Sequence, residues 1–237
     1  MDILNFSPKK IGLTNNQLKI IAMLSMLIDH IGVAMFPNVM ILRIIGRLAF
    51  PIFAYMIAEG CFYTKNKARY FFMIFGLGMI CQLVFFFFMG SLYQGILMTF
   101  SLSIICIYAI DCYLKKREWK SLSLMIFTVF AAAFLSINLP MILADKTDFE
   151  FDYSALGILL PVVIYYSKNK LIKMLFTALI LILLSEIYFT YQLYSLLAIP
   201  LLLLYNGERG KYKLKYLFYI FYPLHLVLVY FISFFIR

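Results

Sequence analysis

Long apolar stretches separated by short polar clusters recur along the whole chain, and their lengths predict its architecture before any motif is considered. Nine segments, at 17–36, 40–61, 68–90, 94–113, 120–142, 153–167, 171–190, 192–205 and 214–236, are dominated by apolar residues. About 20 such residues in a helix cross the ~30 Å hydrocarbon core of a bilayer. The runs are continuous and lack the alternation of a strand that faces lipid on one side and a lumen on the other, which excludes a transmembrane barrel. The expectation is an all-α polytopic transmembrane helix bundle of about nine helices. The sixth and eighth segments are the shortest, and Pro161 and Pro200 interrupt them; a bundle tolerates this because neighbouring helices satisfy the freed carbonyls. The longest polar connection, Asp145 to Asp152, is too short to fold alone. The predicted organisation is therefore a cytoplasmic N-terminal segment over 1–16 and a single membrane domain over 17–237.

Composition sharpens this picture by exclusion. The chain is 65% hydrophobic and only 14% charged, where soluble globular domains carry about 45–50% and about 25%. Apolar segments along the full length also exclude a signal peptide leading a soluble domain. The four cysteines, Cys61, Cys81, Cys106 and Cys112, sit in or beside apolar runs without CxxC spacing. They suggest packing residues, with neither a metal site nor a disulfide framework.

The charge of +10 is distributed in a way that predicts orientation. With nine crossings, Lys9, Lys10, Lys19, then Lys65, Lys67, Arg69, then Lys115, Lys116, Arg117, Lys120, then Lys168, Lys170, Lys173, and finally Arg209, Lys211, Lys213 and Lys215 all fall on one side. The other side holds Lys146 and Arg237 together with the acidic run Asp145, Asp148, Glu150 and Asp152. The positive-inside rule then gives an N-in, C-out topology. The basic balance is topogenic, with attraction to anionic lipid as a by-product, and calls for no nucleic-acid partner. No internal repeat is evident, which counts against a secondary transporter.

An ionisable side chain inside a spanning helix is costly unless paired or hydrated, so each is a functional candidate. Asp29, His30, Arg43, Arg47, Glu59, Asp111, Glu186 and His225 fall inside the spans, with Lys19 at the inner mouth of the first. Lys19 and His30 are eleven residues apart, about three helical turns, and share a face. Arg43 and Arg47 are four apart and share a face of the second helix. The short hairpin between these helices predicts a cluster of Asp29 with one arginine, leaving His30 and the other arginine facing a cavity. A histidine beside an acid and two guanidinium groups suits a general base. In the last helix Pro223 removes an amide hydrogen and opens polar capacity beside Tyr222 and His225. Glu59 is a candidate at the inner end of the second helix and Glu186 in the outer half of the seventh, whereas Asp111, one turn before Lys115, suits a snorkelling partner of the basic run.

Several segments together resemble the TraX family, whose named member is the conjugative pilin acetylase: LKIIAMLSMLIDHIG, LRIIGRLAFPIFAYMIAEGCFYTKNKARY, DYSALGILL, LYNGERGKYK and KYLFYIFYPLHL. The resemblance runs from Lys19 to Leu228. The family is similar to membrane acyltransferases in which a basic residue, ten intervening residues and a histidine mark the first helix. Lys19 and His30 reproduce that spacing, with Lys where Arg is usual.

The resemblance implies acetyl transfer from acetyl-CoA, as co-substrate and without a metal, to an exported peptide or envelope acceptor at a bacterial cytoplasmic membrane. It would make His30 the base, assisted by Asp29, Arg43, Arg47 and His225. Lys19 and the loop residues Arg209, Lys211 and Lys213, with Gly207 and Gly210 allowing a tight turn, would meet the CoA phosphates. The competing expectation is a proton-coupled transporter or flippase for an anionic solute, using the same intramembrane charges.

Overall fold

In a computed structural model the protein is described over residues 11–188, 191–212 and 214–236, with the side chains of Tyr188, Lys215 and Ile236 excepted. Lys9, Lys10, Lys213 and Arg237 of the charge pattern lie outside the described residues. Helices run in the order α1 Asn15–Met35, α2 Met40–Gly46, α3 Ala49–Tyr63, α4 Lys67–Met89, α5 Ile96–Lys116, α6 Trp119–Ala133, α7 Leu139–Leu143, α8 Ser154–Tyr166, α9 Lys170–Tyr188, α10 Ala198–Leu203 and α11 Lys215–Ile236. A π-helical turn, Phe134–Asn138, joins α6 to α7, and a 3-10 turn, Gln192–Leu197, precedes α10. Counting α2 with α3, α6 with α7, and the 3-10 turn with α10, the described residues form nine helical segments, as the apolar runs predict. Six of these are long and apolar enough to cross a membrane, and this is an integral membrane protein.

Prolines explain the breaks. Pro51 has no N–H to offer the Arg47 carbonyl four residues back and its ring crowds that oxygen, so the second segment is interrupted at Arg47 and Leu48. Pro140 stands in the same relation to Ser136, inside the π-helical turn. The Ser136 carbonyl is satisfied from outside the helix, by the Ser154 hydroxyl at 2.6 Å. At the start of α1, Thr14 and Gln17 form a reciprocal capping box.

The segments are arranged about α3 and α5. α3 packs on α1, α5, α8 and α10, while α5 packs on α4, α6 and α8. Small polar residues allow close approach at the α5–α8 seam: Ser103 donates to the Ile158 carbonyl at 2.9 Å and Thr99 to that of Asp152 at 2.8 Å. α4 and α6 show large apolar faces outward, including Phe87, Phe127 and Phe130, the surface expected against lipid. α11 lies against α1 and α4, so the first and last helices are neighbours.

Two connections close the ends of the bundle. The acidic connection is tied to the α4–α5 loop: Asp148 accepts from the Leu92 amide at 2.8 Å and from the Ser91 hydroxyl, and Gln94 and Phe151 form a short parallel bridge. These donors hold the Asp148 carboxyl below its ordinary pKa. At the other end, the loop after α10 is strapped over the start of α1. Its Glu208 and Arg209 carbonyls accept from the Asn15 and Asn16 amides at 2.8 and 3.2 Å, occupying amides that a helix N-terminus otherwise leaves unpaired. Gly207 and Gly210 both take positive φ, +80° and +95°, as the turn requires.

Candidate functional site

Asp29, in the C-terminal half of α1, is gripped by both arginines. Arg47 Nη2 donates to its two carboxylate oxygens at 2.7 and 2.8 Å, and Arg43 Nη1 lies 2.9 Å from Oδ2. The expected division, one arginine on Asp29 and the other facing a cavity, is therefore replaced by a shared carboxylate. The cause is the break before Pro51: it leaves Arg47 in the turn, where its Nε donates to the Arg43 carbonyl at 3.3 Å. Arg47 Nη1 then reaches Tyr153 Oη at 3.1 Å and Gln192 Oε1 at 3.3 Å. A guanidinium has five N–H groups, and every one on Arg47 now has an acceptor. Gly46 is required by the same contact, because a Cβ there would overlap the Asp29 carboxylate.

His30, the next residue, is bound to the last helix. Its Nδ1 lies 2.8 Å from His225 Nε2, and the rings stack with centroids 5.0 Å apart. His225 is 2% exposed, and its Nδ1 lies 2.9 Å from the Phe221 carbonyl. A carbonyl can only accept, so His225 Nδ1 carries a hydrogen. With both rings neutral, His225 Nε2 must accept and His30 Nδ1 must donate. The order of donors is thereby fixed from Phe221 outward, and His30 Nε2 is the atom that keeps its lone pair.

Two cavities meet beside this pair. The larger, about 580 Å³, lies at the N-terminal half of α1, is called the inner cavity for that reason alone, and is lined by Asn15, Asn16, Lys19, Glu59, Thr64, Gly207 and Arg209 together with apolar and aromatic residues of α1, α3, α4, α5 and α11. The other, about 120 Å³, lies at the C-terminal half of α1, is called the outer cavity, and is lined by Asp29, His30, Arg47, Tyr93, Asp152 and Tyr153. The inner volume falls in the ordinary range for ligand pockets, ~300–1,000 Å³; the outer has room for only a few small groups. Phe53, Leu97 and Tyr222 line both and form the partition. The Phe53 and Tyr222 rings meet edge to face at 5.6 Å.

The residues singled out from sequence are distributed as follows. Asp29, His30 and Arg47 line the outer cavity, and Tyr222 lines both. Arg43 reaches the site through Asp29, and His225 through His30. Lys19, Glu59 and Arg209 line the inner cavity, where Glu59 accepts from Tyr205 Oη at 2.7 Å and the Lys19 ammonium sits 5.4 Å from the Phe218 ring centre. Lys211 is exposed on the strapping loop, and Lys213 lies outside the described residues. Glu186 is exposed on α9 and lines neither cavity. Asp111 pairs with Lys67 at 2.8 Å and accepts from Tyr165 and Tyr166 at 2.9 and 3.0 Å; its partner is not the basic run that follows it. Among the described residues no group of three or more His, Cys, Asp or Glu could hold a metal ion.

A scan for intramembrane charges misses Tyr153, Gln192, Tyr93 and Asp152. Tyr153 and Gln192 are uncharged acceptors for Arg47, and Asp152 looks like one more loop acid. It is instead half-buried at the outer cavity, accepts from Tyr93 Oη at 2.8 Å, and desolvation pushes its carboxyl up to about 6 against the pull of Tyr93 and Arg47. Tyr153 also takes a left-handed backbone, φ 59°, and stacks on Phe50 at 4.0 Å. The only sequence signal for Asp152 and Tyr153 is their place in the DYSALGILL segment, and Tyr93 and Gln192 lie outside it.

Comparison with known proteins is consistent with this architecture. The family model described as TraX protein matches residues 14–233. An uncharacterized protein of Rickettsia prowazekii (strain Madrid E) is 47% identical over 58 residues, 24% of this chain and 23% of that protein; the chain thus covers under a quarter of that relative. "Probable fimbrial assembly protein FimC, serogroup H1" of Dichelobacter nodosus is 24% identical over 245 residues, covering 90% of this chain and 93% of that protein. No solved structure matches.

Proposed function

The chain belongs to the TraX family, and from that membership and the imidazole pair beside the two cavities we propose that it is an acetyltransferase of the bacterial cytoplasmic membrane. It moves acetyl from cytosolic acetyl-CoA to the N-terminal amine of an exported pilin-like peptide. The observation that carries this reading is the order of hydrogen bonds from His30 through His225 to the Phe221 carbonyl, which leaves the lone pair of Nε2 on His30, a residue lining the outer cavity. The fimbrial role in the name of the D. nodosus relative supports a fibre subunit as acceptor.

Lys19 and Arg209 at the inner cavity meet phosphates of CoA, whose thin pantetheine arm runs along the apolar wall to the partition. The acceptor amine reaches the outer cavity. Its lone pair attacks the thioester carbon, the C=O π pair moves onto oxygen, and His30 Nε2 takes the amine proton. When the tetrahedral intermediate collapses, the C–S bond breaks and the thiolate takes that proton, giving N-acetyl product and CoA thiol. His225 and the Phe221 carbonyl orient His30 for this transfer. The reading places the N-terminal side, Lys19 and Arg209 in the cytoplasm, as the Lys/Arg asymmetry predicts.

In detergent, CoA should raise the thermal stability of the protein, and acetyl-CoA should turn over slowly to CoA even without acceptor. Replacing Lys19 and Arg209 by glutamine should weaken the stabilisation and its sensitivity to salt. A protein that neither binds CoA nor cleaves acetyl-CoA overturns the proposal, and the two opposed cavities would then favour the transporter reading.

A further inference from the structure

Transfer of an acyl group needs a hydrogen-bond donor where the thioester oxygen becomes an oxyanion. The arginines are the obvious candidates by charge, but every N–H of Arg47 is already held by Asp29, Tyr153, Gln192 or the Arg43 carbonyl. Arg43 does not line the outer cavity. Recruiting Arg47 would strip a buried acceptor of its donor at the moment of reaction. The partition offers a different group. Of the three residues that line both cavities, Phe53, Leu97 and Tyr222, only Tyr222 is polar. Tyr222 is 9% exposed, and its buried hydroxyl has no hydrogen-bond partner among the described residues. A buried hydroxyl in that state is costly and unusual. Its ring packs edge to face on His225 at 5.9 Å and on Phe53 at 5.6 Å, which fixes it beside the imidazole pair.

We propose that the Tyr222 hydroxyl donates a hydrogen bond to the carbonyl oxygen of the bound thioester and holds the oxyanion formed when the acceptor attacks. The inference rests on the acetyl-transfer reading and adds the group that serves the oxygen, opposite the base that serves the proton. The hydroxyl keeps its proton throughout; it shares it with an oxygen that gains the C=O π pair on attack and returns it on collapse. A thioester carbonyl at the partition gives this hydroxyl its partner. Phe53 and Leu97 supply the water-poor surroundings in which one such bond has a large effect.

The test compares the parent protein with Tyr222→Phe, which keeps the ring and its packing. Acetyl-CoA turnover should fall roughly a hundredfold or more in kcat, the usual scale for one oxyanion donor, with KM little changed. Binding is read with two stable CoA derivatives: S-acetonyl-CoA, which presents a ketone near the position of the thioester carbonyl, and S-ethyl-CoA, which has none. Tyr222→Phe should weaken the ketone several-fold and leave the thioether unaffected. Equal loss for both ligands would reduce Tyr222 to a wall of the passage, and turnover at the parent rate would remove it from the reaction; either result overturns the inference. A parent that does not cleave acetyl-CoA defeats the acetyl-transfer reading itself, an outcome distinct from both.

Discussion

Two of the carboxylates in this bundle, Asp111 and Asp29, are held by similar chemistry in different surroundings. Asp111 on α5 is held by Lys67 from α4 and by the hydroxyls of Tyr165 and Tyr166 from α8. Asp29 on α1 is held by Arg43 and Arg47, the latter shared with Tyr153 and Gln192. Each is a cation-and-hydroxyl knot that joins separated helices. Asp111 lines neither cavity and has no imidazole beside it. Asp29 lines the outer cavity and adjoins a histidine whose second nitrogen is uncommitted. A buried ion pair alone is therefore a poor guide to function: an open valence and an open space must coincide with it.

Perturbing the two knots should separate these roles. The largest effect is expected at His30. His30→Ala should keep the bundle folded and CoA bound while acetyl transfer drops a hundredfold or more, the common scale for losing a positioned base; transfer at the parent rate would erase the distinction between the knots. Arg47→Lys should follow. A point donor cannot replace the fork, at least two of its acceptors lose their donors at about 1 kcal/mol each, and unfolding in detergent should register a loss of about 2 kcal/mol with a slower reaction.

Asp152→Asn tests the rim of the outer cavity through pH. Burial raises the Asp152 carboxyl to about 6, above its ordinary ~3.9. The stability this gives the protonated form is fully present below pH ~4 and is lost as pH climbs through 6. The Asn variant does not suffer that loss, so its stability should match the parent at pH 4 and exceed it at pH 7.5 by on the order of 2 kcal/mol. A difference that does not change with pH would show that the carboxyl titrates as if in water. The smallest effect belongs to the other knot. Lys67 is 39% exposed, so Lys67→Met should cost about 1 kcal/mol or less and leave acetyl transfer within twofold.

The architecture was legible from sequence because apolar run length is a direct demand of the bilayer, and all nine segments appear where the runs lie. Asp29, His30, Arg47 and Tyr222, which sequence singles out because charge or a proline-adjacent polar group inside a membrane needs a reason, all line the outer cavity. The pairing was not legible. The one-arginine expectation treated the second segment as an unbroken helix, whereas Pro51 interrupts it and redirects Arg47 onto the carboxylate that Arg43 also reaches. Nor could any periodicity show that His225 would face His30, since that depends on which helix α11 packs against. Tyr153 and Gln192 carry no charge and announce nothing until their donor is in place.

The His30–His225 contact joins positions 195 residues apart, and it has a consequence for biogenesis. Helices enter a membrane in the order of synthesis, so Asp29, both arginines and Lys19 are in place long before the second imidazole. Until α11 docks between α1 and α4, His30 lacks the ring that orients it, and the inner cavity lacks the wall carrying Phe218, Tyr219 and Tyr222. A growing chain thus holds Asp29, the arginines and His30 without their partner ring, and on the acetyl-transfer reading the docking of α11 becomes the step that switches the molecule on.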